Sequence, residues 1–324
     1  MPVMTGKTAF MEMLRAEGVE YIFGNPGTSE LPIMDSLAQY PEIRYVLAAQ
    51  EGVAMGMADG YSCGTGRPSL VNLHIETGLA NGISLLHHAM DGGVPLVLTA
   101  GNKDTRKLAE GRTDLPEMVA QFTKWSAEVT NPDQVAGAIR RAFNEAKTAP
   151  TGPVFLSFAF DALDASADVE IIPSPRQYHR VAPDPQSIEH AAMILAGAAN
   201  PMMLVGDRLG ASGGVSQAVE LAERLGARVY ATSYARMNFP TAHPQFMGRI
   251  NPVLPAAREV FASADVILAV GTNVFSGFMY FPGGALSPGT RLIHLDSSAK
   301  EIGKSEPTDV GIVGNPKLAL EHLS

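Results

Sequence analysis

The sequence predicts an α/β protein made of two doubly wound domains, each built on a parallel sheet. Short apolar segments typical of buried strands alternate with helical segments along the chain, and a proline-rich stretch divides them into two series. The 324 residues also exceed the usual length of a single domain. We therefore expect a first domain over residues 1–165, a linker over 166–186 and a second domain over 187–324.

Helices and strands alternate regularly in the first domain. Thr5 or Thr8 can cap a helix that runs to about Glu17, and Ser29 is a good cap for a helix that runs to about residue 39. Apolar and β-branched runs predict strands at 21–23, 44–48, 69–74, 94–99 and 154–158. Helical patterns fall between them at 50–64, at 80–90, and from a cap at Asn131 to about residue 147.

The linker and the second domain differ in composition. Prolines, aspartates and serines follow one another without a sustained period between residues 161 and 186, which is typical of a connection between domains. Beyond it, apolar runs predict strands at 202–206, 228–231, 266–271 and 292–296. Helical patterns at 217–225 and 316–323 complete a second, smaller doubly wound unit.

Composition excludes several classes of function. The net charge of −9 disfavours nucleic acid and anionic membrane surfaces as partners. A single cysteine, Cys63, excludes an intramolecular disulfide and a cysteine-built zinc site. There is neither an apolar run of about 20 residues nor a signal-peptide pattern at the N-terminus, so we expect a cytoplasmic protein without a membrane partner.

Three short segments of the first domain carry the candidate site. The first, Asn25-Pro26-Gly27-Thr28-Ser29-Glu30, follows a strand, where ligands of open α/β sheets bind. An ordinary strand-to-helix loop with a serine cap is the alternative interpretation. The second segment opens a helix with Glu51, whose small and apolar neighbours favour a protonated carboxyl that can exchange a proton with a bound heterocycle. A carboxylate that only complements the helix dipole is the alternative.

The third segment runs from Asn72-Leu-His74 to Thr77-Gly-Leu-Ala-Asn81. His74 lies at the end of a predicted strand, where it is either a site residue or a histidine satisfied within the core. Asn81 is either a cofactor contact or a helix cap. His87 and His88 lie within the predicted helix that follows, and we interpret them as structural.

In this order and at these intervals, the three segments resemble the pyrimidine-binding domain of thiamine-diphosphate-dependent enzymes, the superfamily of benzoylformate decarboxylase and acetolactate synthase. The similarity continues through Gly152-Pro-Val-Phe-Leu-Ser157 and into the second domain, which is similar to the Rossmann-like middle domain of that superfamily. Benzoylformate decarboxylase is the member that the sequence resembles most.

The resemblance implies a role for each candidate residue. Glu51 would bond a ring nitrogen of the aminopyrimidine and promote its imino tautomer, and His74 would transfer protons near the substrate. Thr28 takes the position of a serine that contacts the substrate carboxylate. The residues implied to lie near the cofactor are Asn25, Pro26, Gly27, Glu51, Gly78 and Asn81.

Two departures from the family pattern matter. Phe278 takes the position of a second catalytic histidine of benzoylformate decarboxylase, so we do not expect an identical proton relay, and a different 2-oxo acid or carboligation stays open. The Gly-Asp-Gly motif that binds diphosphate and Mg²⁺ has only a chance imitation, Gly206-Asp207-Arg208 with Asn238, in the wrong domain. We therefore expect no metal ligand in these residues. The C-terminal diphosphate- and Mg²⁺-binding domain is expected to be absent here and supplied by a missing domain or a partner chain.

The resemblance implies non-oxidative decarboxylation of a small 2-oxo acid, with thiamine diphosphate and Mg²⁺ as cofactors and a homodimer or homotetramer as the assembly. Carboligation of the acetolactate synthase type is the runner-up. A nucleotide-binding module is a third reading, although Val205-Gly-Asp-Arg-Leu-Gly210 departs from the dinucleotide fingerprint and FAD is not expected. A fourth is a catalytically silent, dimerising fragment, and the isolated chain is expected to be inactive.

Overall fold

A computed structural model of the protein describes residues 2–175, 180–232, 236–251, 254–273 and 282–324. The chain forms two compact units, Met1–Tyr178 and His179–Ser324. Phe278, which takes the position of the second family histidine, lies outside the described residues. Within the described part of the chain, no helix is long and apolar enough to cross a membrane.

The first unit alternates strands and helices as expected. Its strands are β1 (Val3–Thr5), β2 (Tyr21–Asn25), β3 (Arg44–Leu47), β4 (Ser69–Leu73), β5 (Leu96–Asn102), β6 (Ser126–Val129), β7 (Val154–Ala159) and β8 (Ser166–Asp168). Its α-helices are α1 (Gly6–Glu17), α2 (Leu31–Ser36), α3 (Glu51–Thr65), α4 (Ile75–Asp91), α5 (Leu115–Val119), α6 (Val135–Lys147) and α7 (Phe160–Asp164).

The main sheet of this unit has the order β3-β2-β4-β5-β7-β6, and every neighbouring pair is parallel. Strands β4, β5 and β7 are buried throughout and present apolar side chains on each side. Helices therefore cover both faces of the sheet. One core forms around Phe10, Leu14 and Phe158, and the other around Leu73 and Leu98. The predicted doubly wound parallel fold is confirmed.

Three local expectations differ from the structure. Ser29 is not a helix cap: it lies inside a 3₁₀ turn at Thr28–Glu30, and its hydroxyl donates to the Glu30 carboxylate. Helix α4 begins at Ile75 rather than near residue 80, directly after His74. Asn131 precedes a 3₁₀ turn, and its side chain makes no capping hydrogen bond there. Thr5, by contrast, caps α1 by accepting from the Thr8 amide.

The first unit also extends into the segment that we expected to be linker. Strand β8 pairs with β1 in an antiparallel ladder, with Met4 opposite Ala167. Further along, Glu17 accepts hydrogen bonds from the amide and hydroxyl of Ser174. These contacts join residues 166–174 to the first unit. Strand pairing satisfies backbone hydrogen bonds, and Ser174 satisfies the nearly buried carboxylate of Glu17.

The second unit contains a second parallel sheet. Its strands are β9 (Pro201–Val205), β10 (Arg228–Ala231), β11 (Phe246–Arg249), β12 (Val266–Val270), β13 (Arg291–Asp296) and β14 (Val310–Val313), in the order β11-β10-β9-β12-β13-β14. Its α-helices are α8 (Pro185–Ala196), α9 (Asp207–Ser212), α10 (Val215–Leu225), α11 (Pro255–Ala262) and α12 (Pro316–Leu323). The edge strands β11 and β14 were not predicted, because each is short and half exposed.

Polar side chains at the carboxyl ends of these strands bind one another. The Asp207 carboxylate accepts hydrogen bonds from the Asn238 side chain (3.2 Å) and the Arg236 amide (3.0 Å). Arg208 forms a two-point pair with the buried Asp296, through Nε (2.7 Å) and Nη2 (2.8 Å). Asp207 and Asn238, which imitate the spacing of the Gly-Asp-Gly motif, therefore join the segment after β9 to the segment after β10 by a hydrogen bond.

We predict that Asp296→Asn lowers the free energy of unfolding by about 3 kcal/mol, because it leaves the Arg208 guanidinium buried without its anion. Burial by itself raises the pKa of Asp296, but hydrogen bonds from His294 and Arg208 outweigh it and hold the pKa below its usual 3.8. The carboxylate therefore stabilises the fold above that value, and this stabilisation is lost as the pH falls through the lower folded-state pKa.

Urea unfolding followed by circular dichroism at pH 7 and at pH 3 measures this contribution. Glu220→Gln is the matched control, because its ion pair with Arg224 is exposed and contributes less than about 1 kcal/mol. Equal unfolding midpoints for the Asp296 and Glu220 variants would contradict the prediction.

Candidate functional site

The candidate residues of the first unit meet at the carboxyl edge of its main sheet. Strands β2 and β4 are parallel neighbours, with Asn25 opposite Leu73. Because parallel strands end at the same edge, the loop after β2 and the residue after β4, His74, lie side by side. The register alone therefore brings together two segments that are more than forty residues apart in the chain.

Glu51 is held at this edge by two amides. Asn25 Nδ2 donates to Glu51 Oε1 at 3.2 Å, and Asn81 Nδ2 donates to Oε2 at 3.0 Å. Gly78 faces the same carboxylate: a Cβ there would lie 3.3 Å from Oε1. Three expected cofactor residues thus contact Glu51, and Asn81 acts from within α4 rather than as its cap.

The surroundings of Glu51 differ from the expectation. The carboxylate is half-buried rather than enclosed, and Val53, on the next exposed position of α3, is 54% exposed. Its two hydrogen-bond partners are polar amides rather than the apolar neighbours that the sequence suggested. The small residues of α3 and α4 allow the two helices to pack closely, since a Cβ at Gly82 would lie 3.4 Å from Met55 Cγ.

His74 packs against the backbone of the Asn25–Glu30 loop. A Cβ on Gly27 would lie only 2.3 Å from His74 Nδ1, so the imidazole occupies the space that a side chain at position 27 would need. The His74 side chain is 27% exposed, so part of it keeps access to solvent. It is neither a fully buried core histidine nor a free surface residue.

Glu30 is the site residue to which the sequence analysis gave no role. Its side chain is fully buried, and it accepts hydrogen bonds from the amides of Gly27 (2.8 Å) and Gly101 (2.6 Å). It also contacts the Ser29 hydroxyl (2.8 Å) and His74 Nδ1 (3.0 Å). The three-residue spacing from Gly27 is that of a capping box, which could have indicated the bond to the Gly27 amide.

Polar side chains on β3, β4 and β5 form further hydrogen bonds near the Asn25–Glu30 loop. Asn72 is buried and donates to Thr99 Oγ1 at 3.1 Å, and Thr99 donates in turn to the Val71 carbonyl. The Tyr45 hydroxyl lies 3.4 Å from the Asn72 carbonyl. Burial, with the Glu30 charge as a smaller cause, holds the pKa of Tyr45 well above its usual range, so Tyr45 stays neutral.

The remaining candidates lie farther from these contacts. Thr28 is exposed and Pro26 half-buried in the same loop, and no hydrogen bond among the described residues joins Thr28 to Glu51 or His74. His87 and His88 lie on α4 and pair with Asp91 and Asp59 on the surface, as expected of structural residues.

The site offers a half-exposed carboxylate, two amides and an imidazole at one sheet edge. Such a set suits a ligand with hydrogen-bonding ring nitrogens and an exocyclic amine, because the carboxylate and amides can meet both donors and acceptors. The absence of a Cβ at Gly27 and Gly78 leaves room for the side chains of His74 and Glu51. Within the described residues, no group of three or more His, Cys, Asp or Glu side chains could hold a metal ion.

Comparison with known proteins shows what this arrangement is similar to. Residues 4–124 match the family described as "Thiamine pyrophosphate enzyme, N-terminal TPP binding domain", and residues 188–323 match "Thiamine pyrophosphate enzyme, central domain". Benzoylformate decarboxylase from Pseudomonas aeruginosa is 33% identical over 327 residues, which cover 98% of this chain and 61% of that protein.

Two further proteins extend the comparison. A protein named "Probable acetolactate synthase large subunit" from Methanocaldococcus jannaschii is 28% identical over 334 residues, covering 99% of this chain and 56% of its own length. The crystal structure of benzoylformate decarboxylase from Polynucleobacter necessarius matches with a TM-score of 0.90 and 29% identity, covering 98% of this chain and 60% of that one. The chain thus spans between 56% and 61% of the length of these relatives.

We predict that Gly27→Ala lowers the free energy of unfolding by about 1–3 kcal/mol, because the new methyl group would overlap His74. The backbone of Gly27 has φ −121°, which alanine can adopt, so the effect comes from the contact with the imidazole. Thermal unfolding measures the loss. Gly60→Ala in α3 is the control: no atom lies near its Cβ, and alanine raises helix propensity. A Gly27 variant as stable as the control would show that the contact does not constrain the loop.

Proposed function

Because this chain belongs to the thiamine pyrophosphate enzyme family, we propose that the protein cleaves a small 2-oxo acid by non-oxidative decarboxylation, with thiamine diphosphate as its cofactor. The observation that carries the proposal is the meeting of Glu51, held by Asn25 and Asn81, with His74 at one sheet edge. The similarity to two benzoylformate decarboxylases supports the choice of decarboxylation.

Glu51 would bind the aminopyrimidine ring of the cofactor through a ring nitrogen, and Asn25 and Asn81 would keep the carboxylate oriented. The fit rests on the structure: the carboxylate is half-exposed, and Gly78 adds no side chain beside it. Thiamine diphosphate, when bound, supplies the carbon nucleophile and the electron sink that cleavage of a C–C bond requires.

His74 and Thr28 would act on the substrate. The partly exposed His74 side chain lies near Glu51, where it can hold or move a proton near a bound 2-oxo acid. The exposed hydroxyl of Thr28, in the loop that packs against His74, would donate to the substrate carboxylate and orient it.

We assign the diphosphate and Mg²⁺ ligands to the part of the longer relatives that this chain does not span. We also propose a homodimer or homotetramer, located in the cytoplasm. Apolar side chains exposed beside the site support an assembly, because a partner subunit would remove them from water: Leu31 (55% exposed), Leu47 (70%) and Val53 (54%).

Carboligation is the second candidate, supported by the similarity to a protein named as an acetolactate synthase subunit. The two reactions share the release of CO₂ and differ in whether an aldehyde or a coupled product follows. Product analysis of the full-length protein with short aliphatic and aromatic 2-oxo acids separates them. If an aliphatic donor gives a coupled product, carboligation replaces decarboxylation to an aldehyde as the main function.

A fragment without thiamine chemistry is the candidate of another class. Calorimetric titration with thiamine diphosphate and Mg²⁺, on this chain and on the full-length protein, tests it. Binding by the full-length protein with loss in a Glu51 variant supports the proposed function. If the full-length protein neither binds the cofactor nor releases CO₂ from any 2-oxo acid, the proposed function is wrong.

We predict that Glu51→Gln lowers kcat of the full-length protein by about 100-fold or more, because the amide cannot exchange a proton with the cofactor ring. Steady-state release of CO₂ gives the rate. Glu42→Gln removes the same charge from an exposed position outside the site, and its kcat should match that of the unaltered protein. A Glu51 variant with full activity would remove this residue from the mechanism.

We predict that Thr28→Val lowers kcat/KM by about 10- to 100-fold, because a hydrogen bond to a charged group contributes about 1.5–3 kcal/mol. Thr28→Ser keeps the hydroxyl and should retain most of the activity. The comparison is made with a 2-oxo acid and read from initial rates. A loss in Thr28→Ser without a loss in Thr28→Val would indicate that the methyl group, not the hydroxyl, serves the substrate.

A further inference from the structure

We propose that Glu30 is a positioning residue that holds His74 as the Nδ1–H tautomer, which leaves Nε2 as the atom that exchanges protons. Nothing in the proposed function names this residue or this atom. The inference deepens that function and rests on it for the identity of the reaction. The tautomer itself rests only on the hydrogen bonds of the first unit.

The Glu30 carboxylate has no free acceptor position. Oε1 accepts from the Gly101 amide (2.6 Å) and from the Ser29 hydroxyl (2.8 Å). Oε2 accepts from the Gly27 amide (2.8 Å) and lies 3.0 Å from His74 Nδ1. An ionised carboxylate offers about four acceptor positions, and four neighbours occupy them. Three of these neighbours, the two backbone amides and the serine hydroxyl, can donate to the carboxylate, and the fourth is His74 Nδ1.

The same set of hydrogen bonds indicates which ring nitrogen of His74 carries the proton. The Ser29 hydroxyl gives its single hydrogen to Glu30 Oε1, and it therefore presents a lone pair to His74 Nδ1 at 2.8 Å. Glu30 Oε2 presents a second lone pair to the same nitrogen. Because two acceptors face Nδ1, that nitrogen must carry the hydrogen in both charge states of the ring.

The opposite assignment fails on the same contacts. If the Ser29 hydroxyl donated to Nδ1 instead, the imidazole lone pair would point toward the anionic Glu30 Oε2 at 3.0 Å. Oε1 would also lose a donor inside a fully buried group. Both changes cost free energy, because a buried carboxylate is tolerated only when its oxygens are hydrogen-bonded.

Two glycines hold this geometry in place. A Cβ on Gly27 would meet Nδ1 at 2.3 Å, and a Cβ on Gly101 would meet Glu30 Oε1 at 2.5 Å. The two backbone amides that bind Glu30 belong to the loop after β2 and to β5, so the carboxylate cannot turn without losing one of them. The ring of His74 is therefore fixed at Nδ1, while part of its side chain remains exposed.

The arrangement gives a defined proton path. The imidazolium form, balanced by the Glu30 carboxylate, gives the proton of Nε2 to a group on the bound substrate. It thereby becomes the neutral Nδ1–H tautomer without any rearrangement, and it takes a proton back at the same Nε2. The hydrogen on Nδ1 stays in place throughout, which is the usual second-partner role of a carboxylate beside a catalytic histidine.

Nuclear magnetic resonance of the 324-residue chain, labelled with ¹⁵N at histidine, tests the tautomer directly. The chain has eight histidines, and a His74→Gln variant assigns the signal of interest. We expect the neutral ring of His74 to show a protonated Nδ1 and an unprotonated Nε2. A protonated Nε2 with an unprotonated Nδ1 in the unaltered chain would overturn the proposal.

Three variants separate positioning from a general structural role. Glu30→Gln should lose the preference for Nδ1–H, because the amide NH₂ must face either His74 or a backbone amide. Ser29→Ala should keep it, since Glu30 Oε2 still accepts from Nδ1. Glu20→Gln, at an exposed position, controls for loss of charge and should leave the spectrum unchanged.

A folded Glu30→Gln variant that still holds His74 only as Nδ1–H would contradict the role of Glu30. If that variant does not fold, the spectra of the unaltered chain and of Ser29→Ala decide the question, because each has its own expected pattern. None of these spectra needs cofactor or turnover. Failure of the proposed function would therefore leave the tautomer assignment intact, and the reverse holds as well.

Discussion

The first unit depends on one buried anion at the edge of its main sheet. Glu30 has no exposed surface, and a charge in that position is stable only when hydrogen bonds replace its lost water. The bonds come from the loop after β2, from β5 and from the residue after β4, His74. Since these segments come from three neighbouring strands, the carboxylate joins the carboxyl ends of the strands and orients the exposed part of the site.

The second unit solves a similar problem with different chemistry. Its buried anion, Asp296 at the end of β13, is neutralised by the guanidinium of Arg208 rather than by backbone amides. Because the guanidinium of Arg208 neutralises the Asp296 carboxylate, the pair needs no ligand to balance its charge. Glu30, in contrast, accepts hydrogen bonds from two backbone amides and a hydroxyl. It also contacts the imidazole of His74, which remains partly exposed. The first unit thereby presents the partly exposed imidazole of His74 at its sheet edge.

Most of the fold was predictable because strand periodicity is local. The strands β4, β5 and β7 are buried along their length and mostly apolar, and their positions were found to within a few residues. The edge strands β11 and β14 were missed, because short half-exposed strands leave no such pattern. Ser29 shows the other limit: its composition suits a cap, but a bond to the buried Glu30 takes its hydroxyl elsewhere.

The sequence by itself determined the doubly wound class, the order of its main elements and the segments that hold Glu51, His74 and Asn81, since alternating apolar runs and short motifs can be read locally. Only the tertiary structure decided which side chains meet. Glu30 and Gly101 are 71 positions apart, and Asn25 and Glu51 are 26 apart. Their contacts depend on the parallel register of β2, β4 and β5 and on the burial of one carboxylate. No local pattern records either, because register and burial are properties of the packed sheet.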